Sequence, residues 1–79
     1  EPIKSLTISL RTVESEIANS LTKVQNDNMD VEIGSYPFFH DGKLGVSIVI
    51  RSEDQNKIDN CNIEILKFVN EKKIEVVDR

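Results

Sequence analysis

The spacing of apolar residues changes several times along this chain, and these changes limit the folds that it can adopt. Residues 4–10, KSLTISL, alternate strictly, which predicts a strand with Leu6, Ile8 and Leu10 on one buried face. After Thr12 the apolar residues recur at helical spacing, which predicts a helix. Thr12 is its expected N-cap, and residues 26–28, NDN, are expected to end it.

The alternating pattern returns in the middle of the chain. Val31 and Ile33 begin a predicted second strand that runs to about Phe39, and a third strand follows from Leu44 to Ile50. The residues between these strands include Asp-Gly, the pair that tight hairpin turns favour. We therefore expect a hairpin.

A second helix and a short strand complete the predicted elements. Ser52 and Gln55 have the spacing of a capping box, in which each side chain bonds the backbone N–H of the other residue. The helix that follows carries an apolar stripe of Ile58, Cys61, Ile65 and Phe68. Residues 74–77, IEVV, predict a last strand.

The element order β-α-β-β-α-β defines the predicted fold class. Two right-handed β-α-β crossovers around one hairpin give an α+β, ferredoxin-like split β-α-β sandwich, with two helices on one face of a four-stranded antiparallel sheet. The strand order expected for this arrangement is 4-1-3-2, which places the second strand on an edge. We interpret residues 1–79 as a single domain of this type and as a fragment of a larger multidomain protein.

Composition disfavours several function classes. The 79 residues suffice for one small domain, and the lone cysteine, Cys61, rules out an internal disulfide. The net charge is −4, with Asp and Glu outnumbering Lys and Arg 14 to 10, which disfavours general nucleic-acid binding. No apolar run approaches the roughly 20 residues that span a bilayer, and no signal peptide is recognised. We therefore expect no nucleic-acid partner and no membrane insertion.

The segment Gly34-Ser35-Tyr36-Pro37 lies inside the second predicted strand and is the leading candidate contact site. It offers two hydroxyl groups and an exposed backbone edge, and a strand edge is also where proline is tolerated. Gly34 is expected to mark a bulge or a close approach by another chain. The alternative is a bulged, bent edge strand without a ligand, which composition alone favours.

Phe38 and Phe39 extend this candidate contact edge to residues 34–39. Adjacent strand residues face opposite sides, so one ring is expected to join the core, and the other to be exposed unless something covers it. An exposed ring on an edge strand suggests a contact surface, but single exposed rings are common. Both interpretations stay open at this point.

The remaining polar motifs predict no catalytic or metal site. His40-Asp41 is expected to be a solvated turn, since no second histidine accompanies it and a single histidine does not make a zinc site. Cys61 is expected in the core. Residues 42–45, GKLG, match the GxxG of KH domains only by letters, because they join strands rather than helices. The first and third strands also lack the aromatic residues with which RNA-recognition domains stack bases.

Residues 31–39, VEIGSYPFF, and 41–54, DGKLGVSIVIRSED, carry a family resemblance. They resemble the small domain that follows the molybdopterin-binding-like domain in eukaryotic FAD synthases and in relatives of bacterial competence/damage-inducible protein A. That group shares a segment V-x-I-G-S-Y-P, a hairpin, and a strand V-x-[IL]-x-[IL]-[RK]. This chain matches the first from Val31 to Pro37 and the second from Val46 to Arg51.

The resemblance implies a noncatalytic accessory domain in a parent enzyme, a FAD synthase or a pyrophosphatase acting on FAD or related dinucleotides. It implies FAD or FMN, ATP and Mg²⁺ as ligands of other domains, and no cofactor, metal or catalytic residue in this segment. We expect a neighbouring nucleotide-binding domain of the same chain as partner, with homo-oligomerisation open. We also expect a cytoplasmic location, with a mitochondrial form open.

Two other functions stay open. ACT-type domains, which sense small molecules, share the element order, but residues 9–12, SLRT, lack the glycine expected in their first turn. Acylphosphatase also has this topology, and Arg11 falls near its anion-binding position. However, the third strand has no asparagine, and the turn lacks the glycine-rich backbone that binds phosphate.

Overall fold

Residues 2–77, which the computed structural model describes, form four strands and two helices in the predicted order. The elements are β1 (Lys4–Leu10), α1 (Glu14–Asp27), β2 (Glu32–His40), β3 (Lys43–Ser52), α2 (Gln55–Glu71) and β4 (Val76–Val77). All neighbouring strands are antiparallel. The sheet order is β2-β3-β1-β4, as predicted, so β2 lies on one edge.

The core lies between the two helices and one face of the sheet. The register places Ile8 opposite Ile48 and Leu10 opposite Val46, and all four side chains are buried. The helices contribute to the same buried cluster, for example through Ile17 of α1. Burying an aliphatic side chain of this size contributes roughly 1.5–3 kcal/mol, so this face decides how the strands and helices stack.

Helix α1 begins at Glu14, one residue later than expected. Val13 has an extended backbone and occupies the cap position, but its side chain makes no capping hydrogen bond. The prediction of Thr12 as N-cap is therefore wrong, because the threonine lies one residue before the cap position. The carboxylates of Glu14 and Glu16 lie in the first turn, where the helix dipole favours negative charge.

Helix α2 is capped by Asp54, whose Oδ1 accepts a hydrogen bond from the Asn56 N–H at 2.9 Å. The predicted capping box of Ser52 and Gln55 is wrong because β3 continues through Ser52. The Ser52 hydroxyl instead accepts a hydrogen bond from the Asp54 N–H at 3.1 Å. With 17 residues α2 is the longer helix, yet neither described helix is long and apolar enough to cross a membrane.

The end of α2 explains why β4 begins later than predicted. Lys73 has a positive φ of 59°. The Ile74 N–H donates to the Val69 carbonyl at 3.0 Å and the Lys73 N–H to the Asn70 carbonyl at 3.1 Å, a pair of bonds that defines a Schellman motif. Ile74 is thus part of the turn that ends α2. The strand β4 therefore begins at Val76 rather than at Ile74.

The β2–β3 hairpin turns at Asp41 and Gly42, as predicted. Both residues have positive φ, 54° and 73°, which is the geometry that an Asp-Gly pair favours in two-residue hairpin turns. Glycine adopts it without strain because it has no Cβ atom. The tight turn keeps β2 and β3 in register, so every residue of the candidate contact edge has a defined partner on β3.

Candidate contact surface

Strand β2, which carries the predicted contact residues 34–39, is a regular edge strand. Nine consecutive residue pairs join it to β3, with no residue skipped on either strand. A bulge would place two residues of one strand opposite one residue of the other, so the predicted bulge at Gly34 is wrong. The regular pleat places successive side chains on opposite faces of the sheet.

Gly34 and Tyr36 form an aromatic–glycine pair on the face of the sheet that the helices leave uncovered, called the open face below. A Cβ atom at residue 34 would lie 2.9 Å from the Tyr36 Oη and 3.1 Å from its Cε2. The phenol ring therefore lies over the glycine, and Tyr36 is still 51% exposed. The close approach that the structure shows at Gly34 comes from a side chain of the same strand, whereas the one predicted was by another chain.

Phe38 and Gly45 form a second aromatic–glycine pair on the open face. They are direct partners in the β2–β3 register. A Cβ atom on Gly45 would overlap the Phe38 ring and would lie 2.8 Å from the Leu10 carbonyl oxygen. Gly45 is buried and Phe38 is half-buried, so this ring lies down across β3 rather than standing away from the sheet.

Ser35 connects β2 to α1. Its Oγ donates a hydrogen bond to the Glu14 Oε2 at 3.0 Å, and Glu14 lies in the first turn of that helix. A hydrogen bond to a charged acceptor at the surface adds only modest stability, but it fixes the position of the strand relative to the helix. The hydroxyl group predicted to meet a ligand therefore has a partner within the chain.

Pro37 shows which backbone groups of β2 point away from β3. Proline has no N–H, so within a sheet it fits where that group would point out of an edge strand. Outward and inward positions alternate along an antiparallel strand, so the N–H groups of Ile33, Ser35 and Phe39 also point outward. The Ile33 N–H agrees with this assignment, since it donates to the Gln25 Oε1 at 3.2 Å.

Gln25 holds the beginning of β2 with both ends of its side-chain amide. Its Oε1 accepts the Ile33 N–H, and its Nε2 donates to the carbonyl oxygens of Val31 at 2.7 Å and Asn28 at 3.1 Å. Because Gln25 lies near the C-terminal end of α1, these bonds join the helix to the edge strand. The outward Ile33 N–H is therefore already used by the chain itself.

Phe39 is the most exposed aromatic residue of the contact edge. It lies on the helix side of the sheet opposite Leu44, and these two side chains are 70% and 58% exposed. The prediction that Phe38 or Phe39 joins the core is wrong, since neither belongs to the buried cluster. On β3 the buried cluster ends at Val46, two residues from Leu44, so Phe39 has no core to enter.

The other residues singled out in the sequence occupy separate places. His40 Nε2 lies 3.5 Å from Asp41 Oδ2 at the exposed hairpin turn. Cys61 lies in the core, as predicted, where burial raises the pKa of its thiol and the nearby Glu64 carboxylate adds to the effect. In the described part of the chain, His, Cys, Asp and Glu form no group of three or more that could hold a metal ion.

Sequence reasoning missed three features around this surface. The Ser9 and Ser47 hydroxyls, both buried, lie 3.1 Å apart in a hydrogen bond on the open face. The Arg11 Nη1 is buried and makes no hydrogen bond to the part of the chain that the structure describes. The role of Gln25 was also missed, because its partners become visible only when the helix end and the strand start lie side by side. A register between β1 and β3 would have predicted the serine pair.

Together these features define a ferredoxin-like α+β domain with exposed aromatic side chains on an edge strand. A family model described as FAD synthase, middle domain, matches residues 2–78. The chain belongs to this family. The match confirms the predicted FAD synthase resemblance and extends it from residues 31–54 to nearly the whole chain. No curated protein and no solved structure matches the chain.

Proposed function

We propose that this chain is a noncatalytic accessory domain of a FAD synthase-like protein and that residues 34–39 are its contact surface. One observation carries this proposal: Tyr36 and Phe39 are exposed on opposite faces of the same edge strand. Aromatic side chains are enriched in protein interfaces because each buries a large apolar area when covered. Membership of the FAD synthase middle-domain family supplies the parent protein.

The contact surface is held in place by the chain itself. Gly34 leaves room for the Tyr36 ring, the Ser35 hydroxyl is bonded to Glu14, and Gln25 anchors the start of the strand. A surface that is ordered before binding loses less conformational entropy when a partner arrives. These contacts therefore favour a docking role for β2.

We assign catalysis to neighbouring domains. The pKa of Lys23 is raised by Asp27, and that of Lys57 by Asp30, both in exposed ion pairs. Among the described residues, Cys61 is the third whose pKa is raised, and burial is the main cause. Each of these shifts has a structural explanation, whereas catalytic groups typically combine a shifted pKa with a position in a cleft.

The partner that we propose is the nucleotide-binding domain of the same protein, which would bind FAD or FMN, ATP and Mg²⁺. A domain joined through the polypeptide docks at high effective concentration, so a small aromatic surface is sufficient for it. Association of two copies through the same surface is the second mode that we propose.

The test of the contact surface replaces Tyr36 and Phe39 by serine in the full-length parent protein. We expect FAD formation to fall and the unfolding transitions of this domain and its neighbour to separate. The matched control is Ile63→Ser, because Ile63 is 65% exposed on α2. If the double variant behaves like the control, residues 34–39 are not the contact surface.

A separate measurement tests the noncatalytic role. The 79-residue chain is assayed alone for FAD hydrolysis and for adenylylation of FMN. We expect no turnover above background, because catalysis is assigned to the other domains. Turnover comparable to that of the full-length protein would overturn the accessory role, whatever the result for Tyr36 and Phe39.

A further inference from the structure

The outer edge of β2 has two backbone positions that are ready to pair, one on either side of Pro37. Among residues 2–77 no strand lies beside this edge, and β3 and β1 separate it from β4. Its outward positions are Ile33, Ser35, Pro37 and Phe39. The Ile33 N–H is already bonded within the chain, and proline has no N–H. The N–H and C=O groups of Ser35 and Phe39 therefore form the part of the edge with which another strand could pair.

A second copy of the same strand fits this pattern when a two-fold axis passes through Pro37. The two β2 strands then run antiparallel, and Ser35 of each copy lies opposite Phe39 of the other. Because both residues keep an N–H and a C=O, each of these pairs forms the complete hydrogen bonds of an antiparallel ladder. The two Pro37 residues face each other, so the position without a donor meets its own copy.

Other positions of the axis satisfy fewer backbone groups. With the axis at Ser35, Ile33 lies opposite Pro37, and neither residue has an N–H to donate. With the axis at Tyr36, Ser35 lies opposite Pro37. That pair has one donor instead of two, and so has the pair of Ile33 and Phe39. The interruptions of the β2 edge thus select the register in which Pro37 lies on the axis.

A groove between β2 and α1 accommodates Phe39 in the same arrangement. It lies on the helix side of the sheet, and its apolar lining consists of Ala18, Leu21 and Ile33, with Ser35 beside them. Phe39 lies on that side of the sheet and is 70% exposed. Since Phe39 of the second copy lies opposite Ser35, its ring would enter this groove and become covered. The exposed ring and the groove thus complement each other across the axis.

The charges at the two ends of β2 also favour antiparallel pairing. Glu32 lies at the start of β2 and Lys43 directly after the hairpin turn, and both are exposed. The register places both on the open face of the sheet. Antiparallel pairing brings Lys43 of one copy towards Glu32 of the other, whereas parallel pairing would bring the two Glu32 residues together. Such exposed pairs add little affinity, but they select the direction of association.

We propose that two copies of this chain pair through β2 around an axis at Pro37, with Phe39 of each copy in the groove between β2 and α1 of the other. The inference rests on the proposed function, because it uses residues 34–39 as the contact surface, and it specifies how two copies associate there. One strand and one groove per copy amount to roughly half of the 20–30 residues per side of a standard interface. The association should therefore be reversible, with a dissociation constant on the order of 100 µM.

The first experiment measures the oligomeric state and the register of the 79-residue chain. Sedimentation equilibrium should show a reversible monomer–dimer transition at concentrations of about 10 µM to about 1 mM. NMR on a mixture of ¹³C-labelled and unlabelled chains then detects contacts between copies only. It should show an NOE from the Tyr36 Hα of one copy to the Phe38 Hα of the other. These residues would form a pair without hydrogen bonds, in which the Cα atoms lie about 4.5 Å apart.

Two matched pairs of variants test the parts of the interface. Ser35→Pro removes an outward N–H and should weaken dimerisation at least about tenfold, since the symmetric dimer loses the same hydrogen bond twice. Ser35→Ala keeps that N–H and should dimerise normally. Phe39→Ser should also weaken dimerisation about tenfold, whereas Ile63→Ser, at an exposed position of α2, should not.

Two results would overturn the inference. One is a chain that stays monomeric up to about 1 mM, and the other is a dimer that lacks the NOE between Tyr36 and Phe38. If Ser35→Pro fails to fold, the comparison of Phe39→Ser with Ile63→Ser decides the matter, since both side chains are exposed in the single copy. Equal dimerisation of those two variants would then remove Phe39 from the interface and overturn the arrangement.

Failure of this inference and failure of the proposed function give different results. A monomeric chain, together with a loss of FAD formation in the full-length variant of Tyr36 and Phe39, would overturn the pairing of two copies. The contact surface would then stand with the nucleotide-binding domain as its partner. A dimer with the expected NOE, together with unchanged FAD formation in that variant, would support the pairing and overturn the role of the surface in the parent protein.

Discussion

The two edges of the sheet, β2 on one side and β1 with β4 on the other, differ in what happens to their outward backbone N–H and C=O groups. On β2, Pro37 lacks an N–H and Gln25 uses the Ile33 N–H, so the edge presents side chains rather than a continuous row of donors. On the opposite edge, within the described residues, β1 pairs with β4 at Ser9 and Leu10, and the Arg11 N–H donates to the Glu75 carbonyl. Exposed edges invite strand pairing unless something interrupts them. The β2 edge thus presents exposed aromatic side chains, whereas the outer edge of β1 pairs its backbone with a further strand.

The largest effect is expected on the β2 side, at the close contact between Phe38 and Gly45. A methyl group on Gly45 would overlap the Phe38 ring and crowd the Leu10 carbonyl, so Gly45→Ala should destabilise the fold by about 2–3 kcal/mol. Urea unfolding followed by circular dichroism measures this change. Gly42→Ala is the control: it has open space around it but a φ of +73°, and should cost about 1 kcal/mol. Equal losses in the two variants would contradict the crowding explanation.

The next effect concerns the hydrogen bonds that Gln25 makes to the beginning of β2. Gln25→Ala removes the acceptor of the Ile33 N–H and the donor to Val31 and Asn28, and should destabilise the fold by about 1–3 kcal/mol. Amide exchange at Ile33 should become faster, while exchange at Ser5 and Thr7 stays unchanged. Asn26→Ala, at the exposed neighbouring position, should alter neither quantity. An Ile33 amide that remains protected in Gln25→Ala would mean that the side chain does not close this edge.

A smaller effect on stability, of opposite sign, is expected at Lys73, in the turn that ends α2 and precedes β4. Lys73 has a φ of 59°, a conformation that glycine adopts at lower energy. Lys73→Gly should therefore stabilise the chain by about 0.5–1 kcal/mol, measured as an increase in the urea midpoint. Lys72→Gly, at a residue with a φ of −86°, should bring no gain. A gain from both variants would contradict the backbone explanation.

The smallest effect is a pH dependence from the ion pair of Lys57 and Asp30, which lies outside both edges. The hydrogen bond from Lys57 lowers the pKa of Asp30 below 3.8. Its contribution is therefore present above pH 3.8 and is lost as the pH falls through the lowered value. The pKa of Lys57 is raised above 10.5, so this contribution is present below pH 10.5 and is lost as the pH rises through the raised value.

Urea unfolding between pH 7 and pH 2 tests the acidic limb of this dependence. Asp30→Asn should show a smaller loss of stability on acidification than the unmodified chain. The difference should be slight, because both partners are exposed and water screens them. An unchanged acid dependence in Asp30→Asn would show that other carboxylates account for it.

Periodicity predicted the elements, their order and the sheet topology, because alternation and helical spacing each report how one face of a segment is buried. It did less well where the outcome depended on single residues. The caps at Val13 and Asp54 depend on where the preceding strand stops, and a shift of one residue changes which side chain can serve. The family resemblance was visible in residues 31–54, which include the proposed contact residues 34–39.

The amino-acid sequence by itself determined which strands pair, which face is buried and where the hairpin turns, because these follow from local spacing and from the conformations open to glycine and proline. Only the tertiary structure decided the roles within the contact edge. Gly45 is required by the Phe38 ring and the Leu10 carbonyl beside it, the Tyr36 ring lies over Gly34, and Phe39 is exposed because the core ends beside it. Such contacts join residues through the register of separate strands, so no single stretch of sequence contains them.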